Sequence, residues 1–321
     1  MLVARSTTPR DVVVEELPDP VAGPGEVVCR VLACGVCGSD VSDAYVARKL
    51  PAVLGHEVVG EVLRTGAGVT AVGAGERVVI HHHAPCGTCR RCRRGHETLC
   101  DQFRSTALHP GGFAEQVRVE APLVPELLAL GDVDPLAGTF VEPLGCVLRA
   151  LDRARLAAGE SLLVVGAGSN GLLAIAAARA RGVDDVWIRE PRASRRGRAQ
   201  SWGAAQHDDE PVDVAFVTTA QPDAVASAAQ ALGPGGTLCL YATSKAGASL
   251  GLDAEQLFLC EITVLSSWSA GPADMRAAYD LIARGRIDPL ELVTHQVGLG
   301  ETARALDLQR RGEALKAVVV P

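Results

Sequence analysis

At 321 residues the chain is too long for one small hydrophobic core and suits about two domains. Its formal net charge of −7 disfavours a nucleic-acid binder, since such proteins are usually basic. No apolar run approaches the ~18 residues that a membrane helix needs. Residues 1–20 lack the apolar core of a secretory signal, so we expect a cytoplasmic protein whose ten cysteines are reduced.

The first part of the chain predicts an all-β, partly barrel-like domain, because short β-branched runs alternate with glycine and proline. These runs are DVVVEEL, EVVCRVLACGV, HEVVGEVLRTG, ERVVI and EQVRVE. From residue 144, the strand SLLVV, a glycine turn, an alanine-rich helix and the strand DVWIRE indicate a βαβ unit. The strands VDVAFVTT, GTLCLYA and ITVLSSW follow, with the helix QPDAVASAAQALG between the first two. The tail adds the helix ADMRAAYDLIARG, the strand LVTHQVGL, the helix TARALDLQRRG and the strand KAVVV.

The segment HHHAPCGTCRRCRRGHETLC predicts a structural zinc site. Its cysteines have the spacing C-x2-C-x2-C-x7-C and are Cys86, Cys89, Cys92 and Cys100. Four thiolates on a tight loop complete a closed tetrahedral site with no position left for substrate. A zinc finger is disfavoured because paired histidines at finger spacing are missing and the net charge is negative. We interpret the histidines from His81 to His83 as the exposed end of the strand RVVI, with the polar lining of a cleft as the alternative.

A second group of metal-binding side chains is spread along the chain. GVCGSD holds Cys37 between glycines that permit a tight turn, and GHEVVG holds His56 followed by Glu57. FVEPLGC holds Glu142 in an otherwise apolar stretch. A lone cysteine is usually only a small buried apolar residue. One thiolate, one imidazole and one carboxylate with a fourth position open would instead form a catalytic zinc site.

The sequence GAGSNG predicts a dinucleotide-binding loop, because it follows the strand SLLVV and opens a helix. The candidate cofactor-binding residues of this loop are Gly166, Gly168, Ser169, Asn170 and Gly171. The glycines allow a tight turn and close approach of the backbone to a pyrophosphate at the helix N-terminus.

Glu190, nineteen residues past the loop, favours NAD, because an acid at this point accepts hydrogen bonds from the ribose hydroxyls and repels a 2′-phosphate. Arginines crowd the same point and keep NADP open as the cofactor; they are Arg189, Arg192, Arg195 and Arg196. The chain has 28 arginines and 3 lysines, so such a cluster is weaker support for a phosphate site than it first suggests.

These motifs, in this order, resemble those of the zinc-dependent medium-chain dehydrogenase/reductase family, most closely its polyol branch of sorbitol, threonine and cyclitol dehydrogenases. The resemblance rests on GVCGSD, the pattern G-H-E-x2-G-x5-G-x2-V from Gly55 to Val69, the cysteine spacing, VEPLG and VVGAGSNGLL. It covers essentially the whole chain and implies an α/β protein. The implied parts are a GroES-like β-barrel catalytic domain (1–143), a doubly wound Rossmann domain (144–268) and a C-terminal return to the catalytic domain (269–321).

The resemblance also implies two zinc ions per chain and a mechanism. Cys37, His56 and Glu142 would surround the catalytic zinc, while Glu57 would ligate it or sit just behind it. Zinc would lower the pKa of a secondary hydroxyl on a polyol, sugar or aminocyclitol, and a hydride would pass to the nicotinamide. The proton would leave through Ser39 and the cofactor ribose.

Two departures from the family pattern affect these expectations. Ser42 stands where many polyol and threonine dehydrogenases have a histidine, and is a shortened relay, a substrate contact or a simple helix-start residue. A similar serine in aminocyclitol dehydrogenases favours that substrate class. Only six residues, QHDDEP, separate WGAA from VDVAFV, so we expect the Rossmann domain to lack one helix.

Several alternatives and one assembly prediction remain at this point. The stretch ITVLSSWSA (262–270) corresponds to an edge strand that family members pair across subunits, which predicts a homodimer or homotetramer. The alternatives are an NADPH-dependent carbonyl reductase of the same fold and a non-catalytic zinc-binding descendant, which the intact ligand set disfavours. We expect a small-molecule substrate and neither a nucleic-acid nor a membrane partner.

Overall fold

The computed structural model describes residues 1–242 and 247–321, which divide into two compact units. The first unit combines Met1–Pro143 with Gly271–Pro321, and the second is Leu144–Ala270. A helix over Val141–Arg153 crosses the boundary between them. The chain therefore leaves the first unit and returns to it after residue 270. In these described residues, no helix is both long and apolar enough to span a bilayer.

The strands are numbered in chain order. Those before the boundary are β1 (Leu2–Ser6), β2 (Val12–Glu16), β3 (Val27–Gly35), β4 (Ala52–Val53), β5 (Glu57–Thr65), β6 (Arg77–Ile80), β7 (Leu108–His109), β8 (Gln116–Val119) and β9 (Leu128–Ala129). Those of the second unit are β10 (Ser161–Val165), β11 (Asp185–Arg189), β12 (Ala205–Gln206), β13 (Val212–Val217), β14 (Leu232–Leu240) and β15 (Thr263–Ser266). The first unit resumes with β16 (Val293–Gly298) and β17 (Lys316–Val320).

The helices are numbered in the same way. The α-helices are α1 (Asp43–Val46), α2 (Arg90–Arg93), α3 (Asp101–Ser105), α4 (Pro135–Gly138), α5 (Val141–Arg153), α6 (Ser169–Ala180), α7 (Ala193–Ser201), α8 (Pro222–Gln230), α9 (Ala254–Leu259), α10 (Pro272–Ala283) and α11 (Thr302–Arg311). Short 3-10 helices cover Gly38–Val41, Glu97–Leu99, Ala121–Glu126, Leu290–Leu292 and Leu299–Glu301. The sequence explains where several helices start and stop. Pro222 and Pro272 are the first residues of α8 and α10, and Gly312, with φ of +67°, ends α11.

The first unit is built on a largely antiparallel sheet in the order β16-β17-β3-β5-β6-β9. Strand β8 also pairs with β3 and carries β7 on its other side, and a small sheet β2-β1-β4 stands apart. Only the β16–β17 pair is parallel within this unit, all of whose residues are described. Its core consists of apolar strand residues such as Val27, Val58, Val117 and Val319, each at most 1% exposed. The predicted β-rich GroES-like fold is confirmed.

The second unit is a six-stranded parallel sheet in the order β12-β11-β10-β13-β14-β15. The strand order reverses beside β10, which is the point at which doubly wound sheets bind dinucleotides. Helix α6 packs on β10 and β11, while α8 packs on β13 and β14. Leu163, Ala215, Val217 and Leu238 form part of the buried core under α8. The predicted doubly wound Rossmann fold is confirmed.

The connection from β12 to β13 is short. Residues 207–211, all described, contain no helix. A polar cavity of about 360 Å³ lies beside this segment, lined by Arg189, His207, Asp209, Ser227, Gln230 and Ala231. The second unit therefore has polar side chains and open space next to this connection.

Candidate functional site

Four neighbouring strands of the first unit end at one edge of its sheet, in the order β17-β3-β5-β6. Successive strands in this set are antiparallel, so the ends of β3 and β6 lie beside the starts of β5 and β17. The residues at this edge are Cys37 after β3, His56 and Glu57 at the start of β5, His81 after β6 and Lys316 at the start of β17. Antiparallel pairing thus assembles residues that are far apart in sequence.

The Cys37–His56–Glu57 group is a candidate metal site, because its three donor atoms lie within 4.8 Å of one another. Cys37 caps the 3-10 helix over Gly38–Val41, and its Sγ accepts the backbone N–H of Ser39 at 3.5 Å. The half-exposed thiol thus stands at the start of this helix, beside its first backbone N–H groups. A thiolate, an imidazole and a carboxylate form a donor set suited to Zn²⁺.

Asp40 was not predicted as a site residue, but it contacts both Cys37 and His56. It is 2% exposed, its Oδ2 accepts the backbone N–H of Cys37 at 3.0 Å, and its Oδ1 lies 3.6 Å from Nδ1 of His56. Burial opposes charge on His56, but Asp40 and the Cys37 thiolate outweigh it and hold the pKa of His56 well above its usual range. A cation is favoured at this imidazole, and a divalent ion at Nε2 would take the place of the proton. The signal available in the sequence was the acid three residues after Cys37, at capping-box spacing.

Glu57 forms a buried ion pair with Lys316, which the sequence analysis also missed. Nζ of Lys316 lies 2.8 Å from Oε1 and 2.6 Å from Oε2 of Glu57. Burial lowers the pKa of Lys316, but the charges of Glu57 and Cys37 outweigh it and raise that pKa above its usual value. Gly35 makes room for the carboxylate, since a Cβ there would lie 2.1 Å from Glu57 Oε2. The sequence feature that could have indicated Lys316 is its position as the one polar residue of the apolar run KAVVV.

Glu142 lies in the first turn of α5 and is 6% exposed. Its carboxylate belongs to a different group from the one above: its donor atom lies within 4.8 Å of those of His81 and His82. Burial lowers the pKa of His81 to about 3 and that of His82 well below its usual range. His81 is 2% exposed, so its interpretation as an exposed strand end is wrong; the alternative, the polar lining of a cleft, stays a prediction.

The two serines differ in their surroundings. Oγ of Ser39 is buried and has no hydrogen-bond partner among the described residues, so its hydroxyl is available to a bound molecule. Ser42 stands at the start of α1, but its side chain makes no capping hydrogen bond. Its position agrees with a helix-start residue, while its hydroxyl is not used for that purpose.

The four cysteines from Cys86 to Cys100 form one cluster, with all four Sγ atoms within 4.8 Å of one another. Sγ of Cys92 lies 4.0 Å from that of Cys86 and 3.5 Å from that of Cys89. Thiolates around one zinc ion with 2.3 Å bonds would stand about 3.8 Å apart, so the cluster fits a tetrahedral ion. Hydrogen bonds from Thr88 and Cys89 lower the pKa of Cys86 to about 6, whereas burial raises that of Cys92 to about 12.

The glycines of the GAGSNG loop have the backbone conformation and the free space that a bound dinucleotide requires. Gly166 has φ of +99°, and a Cβ there would lie 2.6 Å from Oγ1 of Thr218. A Cβ on Gly171 would lie 2.0 Å from the carbonyl oxygen of Gly166, so helix and loop pack without side chains at these points. A Cβ on Gly168 would meet nothing within 4 Å. This open space lies at the N-terminus of α6, which begins with Ser169 and Asn170 and offers its backbone N–H groups to a phosphate.

Glu190 is anchored beside this loop. Its Oε2 accepts the backbone N–H of Ala167 at 2.9 Å, and its Oε1 accepts that of Arg192 at 2.9 Å. The carboxylate is therefore tied to the glycine loop, at the end of β11, where an adenosine ribose is read in such folds.

The arginines near Glu190 do not all point to one place. Arg189 donates to the backbone oxygen and Oγ of Ser227 and contacts His207, on the cavity side. Arg196 donates to the backbone oxygen of Glu190 at 2.8 Å. Burial and the charge of a neighbouring arginine lower the pKa of Arg195, and Glu190 opposes this. Arg189 is thus directed away from the ribose position.

Two protein-family models match this chain. The alcohol dehydrogenase GroES-like domain matches residues 23–128, and the zinc-binding dehydrogenase domain matches residues 205–284. The chain is 28% identical to sorbitol dehydrogenase of Bacillus subtilis, covering 97% of this chain and 95% of that protein. It is 30% identical to L-threonine 3-dehydrogenase of Pyrococcus furiosus, covering 94% and 93%. The structure of an alcohol dehydrogenase from Thermus sp. ATN1 superimposes with a TM-score of 0.89 at 28% identity, covering 100% and 99% of the two chains.

The GroES-like and Rossmann folds, a four-thiolate cluster and a mixed donor group together define a zinc-dependent, nicotinamide-linked oxidoreductase. The chain belongs to the zinc-dependent medium-chain dehydrogenase family, in its polyol branch.

Proposed function

We propose that this protein oxidises a secondary hydroxyl of a polyol, sugar or aminocyclitol with NAD, using a zinc ion held by Cys37 and His56 with Glu57 or Glu142 as a further ligand. The observation that carries the proposal is the convergence of a thiolate, an imidazole and a carboxylate at one sheet edge, next to the buried Ser39 hydroxyl, which has no partner in residues 1–242 and 247–321. Four thiolates elsewhere in the same unit would hold a second, structural zinc. We assign zinc chemistry to residues 1–143 with 269–321 and cofactor binding to residues 144–268.

The protein groups have distinct roles in this reaction. Cys37 and His56 would hold a zinc ion that supplies a Lewis acid for the substrate hydroxyl, and the GAGSNG loop would hold a nicotinamide cofactor that supplies the hydride acceptor. Asp40 lies on the Nδ1 side of His56 and leaves Nε2 as the nitrogen that would bind the metal. Oγ of Ser39 would accept the substrate proton while its own proton passes to the cofactor ribose. Glu57 either ligates the ion or stays with Lys316, where the pair keeps the region behind the site close to neutral.

Metal content and turnover measured on the same variants test the two zinc roles. Cys37→Ser or His56→Ala should remove one zinc and abolish turnover with little loss of fold. The matched variant Cys92→Ser should also remove one zinc but act first on thermal stability. Atomic emission, thermal melts and NADH absorbance with a panel of polyols and aminocyclitols give these readouts. A wild type that holds one zinc, or Cys37→Ser with full turnover, would contradict the proposal. A wild type with the open-site ion but no turnover on any alcohol or ketone would favour the non-catalytic descendant.

Cofactor choice is tested separately. Glu190 is tied to the glycine loop beside the ribose position, which supports NAD. We expect a higher kcat/KM with NAD than with NADP and a smaller preference in Glu190→Ala. Arg195→Ala is the matched control, since it should weaken NADP use without affecting NAD. A clear preference of the wild type for NADP would instead support the NADPH-dependent carbonyl reductase.

We further propose a homodimer or a homotetramer, in the cytoplasm. β15 pairs only with β14 among the described strands, and near this edge Phe258 is 81%, Trp268 48% and Val264 39% exposed. An apolar edge of this kind is usually covered, here by a second copy of the chain. Sedimentation that shows a stable monomer at micromolar concentration would count against this. None of the ten cysteines, all of which are described, forms a disulfide, which suits a reducing compartment; cell fractionation checks the location.

A further inference from the structure

The Gly166–Ala167 peptide group of the GAGSNG loop is held by side chains from both neighbouring strands. Thr218 directly follows β13, and its Oγ1 donates to the carbonyl oxygens of Val165 at 3.0 Å and Gly166 at 3.1 Å. On the other side, the N–H of Ala167 donates to Oε2 of Glu190, which follows β11, at 2.9 Å. Strand β10 lies between β11 and β13. Both polar groups of one peptide plane are therefore fixed from the two sides of β10.

The oxygen of this peptide group depends on Thr218. Within residues 1–242 and 247–321, Thr218 is the only hydrogen-bond donor to the Gly166 carbonyl. The same oxygen lies against the first turn of α6, because a Cβ on Gly171 would stand 2.0 Å from it. Gly166 itself has φ of +99°, and a Cβ there would stand 2.6 Å from Oγ1 of Thr218. The two glycines thus leave the space in which the hydroxyl and the carbonyl meet.

The orientation of this peptide group sets the approach of the chain to α6. Residues 168–170 follow directly, and their backbone N–H groups stand at the N-terminus of the helix, where such folds bind a pyrophosphate. Without a donor to the Gly166 carbonyl, the peptide plane is freer to rotate, and the loop has more conformations before binding. Binding must then order the loop, and this ordering lowers the affinity.

We propose that Thr218 is a positioning residue for the cofactor, because its hydroxyl preorganises the GAGSNG loop by fixing the Gly166 carbonyl. The inference rests on the assignment of this loop to the cofactor and goes beyond it, since Thr218 acts through the loop. The loop faces the pyrophosphate, which NAD and NADP share. Thr218 therefore sets the affinity for both cofactors, whereas Glu190, which holds the same peptide group and also stands at the ribose position, affects the choice between them.

Binding of NADH and of NADPH to the full-length protein, followed by the fluorescence of the reduced nicotinamide, tests this without any substrate. Thr218→Val keeps the shape of the side chain and removes the hydroxyl. We expect it to raise Kd for both cofactors by about fivefold, the effect of one lost hydrogen bond, and to leave their ratio unchanged. Thr218→Ser should bind as the wild type does. The matched control Thr219→Val should also bind normally, since Oγ1 of Thr219 accepts the N–H of Gln221 at 3.4 Å, just before α8.

Three results would overturn the proposal: an unchanged Kd in Thr218→Val, a rise in Kd that Thr219→Val shares, or a Thr218→Ser protein that binds as weakly as Thr218→Val. A changed ratio between NADH and NADPH would also overturn it, because Thr218 would then act at the ribose. If Thr218→Val melts early, Thr218→Ala is compared with Thr218→Ser by the same criteria, since these two differ only in the hydroxyl. A wild type that binds neither cofactor contradicts the proposed function as well, whereas normal binding by Thr218→Val contradicts this inference alone.

Discussion

Replacing Lys316 by methionine would remove one member of a buried ion pair while keeping an unbranched side chain of similar length. The Lys316 and Glu57 side chains are 2% and 1% exposed, and Nζ lies 2.6 Å and 2.8 Å from the two carboxylate oxygens. Removing one partner of such a pair costs about 3–5 kcal/mol, because the other charge stays buried without compensation. In a unit of this size, a loss of that magnitude lowers Tm by roughly 6–20 °C.

A double-mutant cycle isolates the charge from the packing. Lys316→Met/Glu57→Gln leaves no buried charge at this point, so we expect it to recover most of the stability lost in Lys316→Met. Zinc at the Cys37–His56–Glu57 group supplies positive charge close to Glu57, so the loss should be smaller in zinc-loaded protein than after chelation. Arg304→Met is the matched control: its ion pair with Glu301 is exposed and is worth at most about 1 kcal/mol.

Thermal melts of these proteins, each with and without zinc, test whether Glu57 without Lys316 is an uncompensated buried charge. Equal Tm values for Lys316→Met and Arg304→Met would refute this, and so would a double variant that is no more stable than Lys316→Met. If Lys316→Met lowers Tm by the same amount with and without zinc, the ion does not stabilise the Glu57 carboxylate.

Three further predictions concern two glycine positions and the cysteine cluster. Gly35→Ala should displace the Glu57 carboxylate and lower Tm by several degrees, whereas Gly38→Ala, whose Cβ would meet nothing within 4 Å, should not; equal melts would disprove the contact. Cys92→Ser should lose one zinc per chain by atomic emission and leave reduced but measurable turnover; full loss of turnover in a folded variant would mean that the cluster is catalytic. Gly166→Ala should raise KM for NAD, because its backbone has φ of +99°; an unchanged KM would exclude this loop from cofactor binding.

Features that depend on residues close together in sequence could be predicted from the sequence. The four cysteines span one loop, so their spacing alone indicated that their sulfurs converge. The glycines of GAGSNG lie between one strand and the next helix, and the backbone demands of that turn can be read from Gly166 to Gly171. The hydrophobic runs likewise indicated the strands of both sheets, since burial on a pleated surface selects β-branched residues.

Local sequence patterns were enough to predict the two folds, the cysteine cluster, the glycine loop and a short set of candidate donors. The grouping of those donors depends on long-range packing. Lys316 reaches Glu57 across 259 positions only because β17 pairs with β3 and β3 with β5. Glu142 lies with His81 and His82 because α5 brings its first turn to the end of β6. The register of paired strands and the position of a packed helix are long-range properties, set by the whole core, and local patterns carry no information about them.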